Sequence, residues 1–488
     1  LSTHSVLPWV DPTAHGDVLH LTSDEDWDEL VRLYADPDTP FANVLAVARE
    51  SGCKSVVVEH RYIDLDFRSE HAAFWSMRFE VPPPFTRRLH FFTAEIDQAE
   101  LHNLPDAPGY LGYSILRPVR RGRVGRTVLA PPPRLGHATL SLVEDKVSMF
   151  GNDLVVRGVP FCEQDGEYLR CAHAAAWICH YVAVRRELVG RTSTSSLVNL
   201  IPSALSEERP LPSKGMRLNQ LQAVFGALGQ PALLYGFSLL PDVSGVPPVT
   251  PTVDATTGKT EPPGLWDTRC ISIICRYLNS DFPVLVAGQA HAWVLVGWKR
   301  TADGSVTFIA CDDQVGPYEE IPSPFSHYRA PWHSIMVPLP PKVFLTGEMA
   351  ENDAFRSLRG LWRANAPTRP IADALQAGTI QLRTRLKNVR TLKREIADQT
   401  SSDDVLRAIR LARLPHFVWA VEAHLRPICH SGNCVVATVL YDATSSDYEP
   451  RQCAIAIPGA VAIYPPDGAS PEIIRGSYDP WRSMLSAH

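Results

Sequence analysis

Phe161-Cys162-Glu163-Gln164-Asp165-Gly166-Glu167-Tyr168-Leu169-Arg170-Cys171-Ala172-His173-Ala174-Ala175-Ala176-Trp177 is the stretch on which the fold reading turns. Its first half is polar and carries Gly166, which reads as a loop. Its second half is alanine-rich and runs on through Ile178-Cys179-His180-Tyr181-Val182, which reads as a helix that lets neighbours approach closely. Cys171 falls where loop gives way to helix. The first-turn N–H groups there have no intrahelical partner, and the helix dipole adds partial positive charge beside them. Both favour a thiolate nucleophile.

A thiolate needs a proton partner. His291 opens the apolar run Ala292-Trp293-Val294-Leu295-Val296-Gly297-Trp298, a strand pattern that would hold its ring rigidly. The next apolar run, Val306-Thr307-Phe308-Ile309-Ala310-Cys311, ends in Asp312 and Asp313. If the two strands pair antiparallel, an acid returns beside His291 and can accept its ring N–H. Alternation sends neighbouring side chains to opposite faces, so only one of the two acids can serve. Asp312 is the choice and Asp313 the alternative. Acyl transfer also needs donors for an oxyanion. Gln164 offers its side-chain amide, and the backbone N–H of Cys171 offers a second.

The ordered set Gln164, Cys171, His291, Asp312 resembles the papain-like cysteine peptidases, in particular the bacterial branch similar to bacteriocin-processing peptidases. The resemblance rests on a Gln shortly before a Cys, small residues on the helix after it, a His opening an apolar strand ending in Gly-Trp, and an acid closing the next strand before Gly316-Pro317. It covers about residues 155–340. It implies a Cys171 nucleophile, His291 as general base and acid, Asp312 as the group that orients the ring, and Gln164 as oxyanion donor. The implied activity is hydrolysis of a peptide or isopeptide bond without a cofactor. The same residues would serve transglutaminase-like acyl transfer, and a scaffold protein that binds partners on the same fold is the third reading.

Outward from this centre, residues 151–345 read as helices followed by strands, the order of an α+β domain. Helices are expected at about 171–188, 195–206, 216–228 and 267–279. The Pro/Thr/Gly-rich stretch 241–264 is expected to be an exposed loop. Residues 1–150 read as a mixed α/β module, with strands around Val18, Val56, Leu89 and Ser114 and helices near 24–34, 41–51 and 69–78. Nothing in that module resembles a catalytic motif. Residues 346–488 read as a helical-then-β module. There, residues 379–399 are expected to be one helix with Arg383, Arg385, Lys387, Arg390, Lys393 and Arg394 on a solvated face. The flanking modules are expected to choose the target or restrain the cleft, through a protein partner.

Composition excludes several classes. The 488 residues suit about three domains, and 45% hydrophobic against 20% charged residues is globular rather than disordered. A net charge of −6 shows no basic excess for nucleic acid. No apolar run approaches the ~20 residues of a membrane span. The opening LSTHSVLPWVDPTAH lacks the basic and apolar regions of a signal peptide. Ten scattered cysteines suit a reducing, cytoplasmic setting better than a disulfide framework. Cys162, Cys171, His173, Cys179 and His180 are close in sequence, but His173 and His180 lie two turns apart, ~10 Å, so no metal site is expected. Nor is one expected at Cys429, His430 and Cys434. No phosphate-binding glycine loop and no G-x-S-x-G elbow is present.

Overall fold

The computed structural model describes residues 16–34, 40–104, 109–201, 205, 211–236, 268–288, 290–301, 304–322, 332–364, 380–397, 404–425, 435–446, 449–457 and 460–475. The expected loop 241–264 and the cluster Cys429, His430 and Cys434 lie outside them. The architecture is α+β, with helices set against three antiparallel sheets. The chain divides into two compact units, one of residues 1–239, 263–266 and 281–340, the other of 240–262, 267–280 and 341–488. The first sheet continues to Phe161, past the boundary suggested at 150. The helix around 270 falls in the same unit as the C-terminal residues.

In the first unit, β1 (Gly16–His20), β2 (Ser55–Tyr62), β3 (Thr86–Phe92), β4 (Tyr110–Leu116) and β5 (Val124–Leu129) line up in chain order. The strand β6 (Thr139–Leu140) leaves this sheet, and β7 (Val143–Met149) pairs with β8 (Asn152–Phe161), which joins β5. Burial alternates strictly along β7, leaving Val143, Asp145, Val147 and Met149 inside, the pattern of a sheet covered on one face. The helices α1 (Asp24–Tyr34) and α2 (Pro40–Glu50) fall close to the positions read from the sequence, whereas α3 (Leu65–Ala73) begins four residues and ends five residues before the expected 69–78.

The helix α4 (Cys171–Arg185) packs on β7 and β8 of the first sheet. It also packs on β10 (Val284–Gly288) and β11 (Ala292–Arg300) of the second. Being covered on several sides, it is buried from Ala172 to Ala183, and its small residues permit the approach. Asp145 ties β7 to it by accepting hydrogen bonds from Tyr113 (2.6 Å) and Tyr181 (2.7 Å) and pairing with Arg185. The shorter helices α5 (Thr194–Asn199) and α6 (Leu218–Ala227) follow. The second sheet runs β13 (Gly316–Pro322), β12 (Val306–Asp312), β11, β10, β14 (Trp332–Pro338), β9 (Ala232–Gly236). Its central strands are buried on both faces, as their unbroken apolar runs foretell. β6 pairs with β11 at Gly297, where a Cβ would sit 2.5 Å from the Thr139 carbonyl, so only glycine admits the crossing. One hydrophobic core joins the first sheet, α4 and the second sheet.

The second unit carries α7 (Thr268–Leu278), α8 (Gly347–Ala364) and a six-stranded antiparallel meander. Its strands are β15 (Ile380–Asn388), β16 (Phe417–Leu425), β17 (Val435–Asp442), β18 (Gln452–Ile457), β19 (Ala460–Ile463) and β20 (Glu472–Arg475), with α9 (Val389–Ala397) and α10 (Asp404–Leu411) between the first two. Residues 379–399 are therefore not one helix. Ile380, Leu382, Thr384 and Leu386 alternate with polar residues, a strand period. β15 pairs with β16 over its whole length, and only the part after Asn388 is helical. Nor is Arg385 on a solvated face: it is buried and ion-paired to Glu422. Burial works to raise the Glu422 carboxyl, but Arg385 and His424 prevail and hold it well below the usual carboxylate range. Arg276 of α7 makes a buried pair with Glu348 (2.9 Å) and a second pair with Glu351 (2.8 Å). No described helix is long and apolar enough to cross a membrane.

Candidate active site

Cys171 opens α4 after an extended Arg170. The loop before it is shaped by Asp165, whose carboxylate accepts from the backbone N–H groups of Glu167 (2.8 Å), Tyr168 (2.6 Å) and Leu169 (3.2 Å). His173, buried and neutral because burial and nearby Arg170 push it down to about 4, caps the same helix by accepting from the Arg170 N–H at 3.3 Å. The loop before the thiol is thus held by Asp165 and the helix start by His173.

His291 sits in the tight β10–β11 turn, where Gly288 N–H donates to its carbonyl (2.9 Å) and Ala290 is forced to φ +61°. That left-handed geometry costs about 1 kcal/mol for a residue with a Cβ. The register Val294 opposite Cys311 makes β11 and β12 antiparallel, and this brings Asp312 back to His291. The His291 Nε2–H donates to Asp312 Oδ1 at 3.0 Å, and the Cys171 side chain lies near enough to the same ring to help raise its pKa. Three of the four residues singled out from sequence therefore meet in one row. The Trp293 ring stacks on the imidazole, centroids 5.5 Å apart. Gln314, which the sequence reading passed over, holds Nδ1 at 3.3 Å through its side-chain amide, and its backbone N–H donates to Asp312 (2.9 Å).

Burial opposes charge on His291. Asp312, through its hydrogen bond and its charge, and Cys171 and Asp313 beside the ring outweigh it and raise the imidazole to about 10. Asp312 is fully buried. Asp313 does not turn to the opposite face as alternation suggested: β12 ends at Asp312, and Val315 N–H closes a turn onto the Asp312 carbonyl. Its Oδ1 then lies 4.0 Å from His291 Nε2. Among the described residues, both Asp313 oxygens are buried without a hydrogen-bond partner, and burial pushes the acid up to about 7 against the pull of His291.

Gln164, half-buried, lines a cleft of about 380 Å³ together with Arg170, Asp313 and Gln314; Cys171, His291 and Asp312 do not line it, and the cleft borders the row through Asp313 and Gln314, which lie beside His291. Arg117 fixes the loop that carries it, donating to the carbonyls of Glu163 (2.7 Å) and Gly122 and lying 3.9 Å from Asp165. Tyr34, Pro40 and Phe41 line the cleft as well, so a wall of it comes from a region where the sequence shows no catalytic motif. The Asp165-Gly166 pair was the available signal for the loop, as an acid-glycine turn. Nothing local in the sequence marks Arg117.

Among the described residues, His291, Asp312 and Asp313 are the group of three whose donor atoms lie close enough together, within 4.8 Å, to hold a metal ion. His180 instead bonds Gln230 at 2.7 Å. Cys53, Cys162, Cys311 and Cys453 are buried, and burial pushes their thiols up, that of Cys53 to about 11 and those of Cys311 and Cys453 to about 12, whereas Cys171 is only half-buried. The sequence matches no protein-family model and no curated protein.

Proposed function

We propose that this chain is a thiol hydrolase of papain-like type that cleaves a peptide or isopeptide bond. One observation carries the reading: the His291 ring donates to the buried Asp312 carboxylate with the Cys171 side chain close enough to act on the same ring. Asp312 keeps Nε2 protonated, and Nδ1, once the Gln314 amide 3.3 Å away gives it up, exchanges a proton with sulfur. The imidazolium–thiolate pair attacks the carbonyl carbon, and the C=O π electrons move to oxygen. The Gln164 amide and the Cys171 N–H receive that oxyanion. His291 then protonates the leaving amine as the C–N bond breaks. Water, deprotonated by His291, attacks the thioester, the C–S bond breaks, and the thiolate returns. An amine in place of water would complete acyl transfer with the same residues.

Iodoacetamide at neutral pH tests the nucleophile. Cys171 is expected to be alkylated stoichiometrically and first among the cysteines, and Cys171→Ala to lose that fast phase. Equal labelling of wild type and Cys171→Ala would sink the reading.

A further inference from the structure

Arg120-Arg121-Gly122-Arg123 joins β4 to β5 and lies along the loop that carries Gln164. Gly122, at φ +65°, comes so close that a Cβ would sit 2.1 Å from the Gln164 carbonyl oxygen. All three arginines line the cleft that Gln164, Asp313 and Gln314 share. Arg120 is paired with Glu80, and Arg170 gives its Nε–H to the Ser213 carbonyl (2.7 Å). The side chains of Arg121, exposed, and Arg123, half-buried, make no hydrogen bond or ion pair among the described residues.

The acids of the same wall do not cancel them. Asp165 spends its carboxylate on three backbone N–H groups and faces Arg117. Glu163 accepts from Val124 N–H at 3.0 Å, and burial pushes it up to about 7 although that bond, Arg117 and Arg123 pull it down. Asp313, also pushed up by burial to about 7, is partly protonated at neutral pH. Two guanidiniums are left facing the cleft, each a planar fork suited to a carboxylate.

We propose that the cleft selects acidic polypeptide substrates, with a Glu or Asp side chain near the scissile bond docking on Arg121 and Arg123. This rests on the thiol hydrolase reading. The surplus positive charge would also steer acidic chains toward the site.

The test uses two otherwise identical hexapeptide chloromethyl ketones, one with Glu and one with Lys at each of the two residues before the reactive one. Their rates of Cys171 alkylation are divided by the iodoacetamide rate of the same protein. At low salt the Glu probe is expected to react about tenfold faster than the Lys probe. The gap should narrow at high salt, as Debye screening shortens the reach of exposed charges, and close or invert in an Arg121→Glu/Arg123→Glu variant. Equal rates for the two probes, with iodoacetamide still choosing Cys171, would overturn the charge selection and leave the hydrolase reading standing. If iodoacetamide shows no preference for Cys171, the hydrolase reading fails. Fluorescence anisotropy with labelled hexaglutamate and hexalysine on Cys171→Ala then decides the cleft alone. Hexaglutamate binding at least tenfold tighter, lost when Arg121→Glu/Arg123→Glu is added, supports it, and equal binding of the two peptides refutes it.

Discussion

Asp312→Asn isolates the charge coupling at the centre of the site. His291 is raised from 6.5 to about 10, chiefly through Asp312 and Cys171 working against burial. A group whose folded pKa lies above its unfolded value stabilises the fold fully below the unfolded pKa. That contribution is lost as pH rises through the folded one. The window for His291 therefore runs from about pH 6.5 to about pH 10. Each tenfold gain in proton affinity on folding corresponds to about 1.4 kcal/mol, and screening at the ring's exposed edge trims the total, so the contribution is about 2–5 kcal/mol. Urea denaturation at pH 6.5, 8 and 10 is the assay. The wild type should exceed Asp312→Asn at pH 6.5 by the larger part of that amount, since Cys171 and Asp313 supply the rest, and the two should converge by pH 10 or slightly above. Asp313→Asn is the control. Asp313 is raised to about 7, so its own contribution fades from about pH 4 to pH 7, and because its charge only assists Asp312 at His291 the variant should keep more of the wild-type slope between pH 8 and 10 than Asp312→Asn does. Parallel wild-type and Asp312→Asn curves over that range would show that Asp312 does not hold the His291 proton, and the mechanism built on it would go.

Gly122→Ala should disturb the loop that carries Gln164, because the new Cβ meets backbone 2.1 Å away at a residue with φ +65°. A stability loss of about 2–5 kcal/mol in urea, together with slower peptide chloromethyl ketone alkylation of Cys171, is expected; a wild-type midpoint would contradict the close approach. Glu422→Gln strips the buried partner from Arg385. It should destabilise by about 3–5 kcal/mol in chemical denaturation, whereas replacing both residues with apolar ones of similar volume should restore much of that loss.

Short-range physics made a large part of this protein legible in its sequence. Helices at 24–34 and 171–185 and strands at 292–300 and 306–312 lie where apolar period, small-residue runs and turn residues place them, since those signals act within a few residues. The pairing of His291 with Asp312 was legible because each falls at the end of an element, and an antiparallel return of β12 on β11 suffices to join the acid to the ring. Where local signals conflicted, the reading failed. Residues 380–388 carry strong helix formers, Leu, Arg and Lys, beside a strand alternation, and pairing with β16 settled the contest in favour of the strand. Asp313 escaped the alternation rule because the strand stops one residue earlier.

What surrounds the row was decided by tertiary structure alone. Arg117, Gly122 and the arginines beside it are about forty residues from Gln164 in sequence, and Tyr34 and Phe41 are farther still. They reach the cleft because β8 joins β5 and the core of the first sheet continues through α4 into the second. Sequence thus determined which residues could carry proton and nucleophile. The packing of two sheets on one apolar helix decided which charges look into the space beside them, since such contacts come from burial shared between distant segments, which no local pattern encodes.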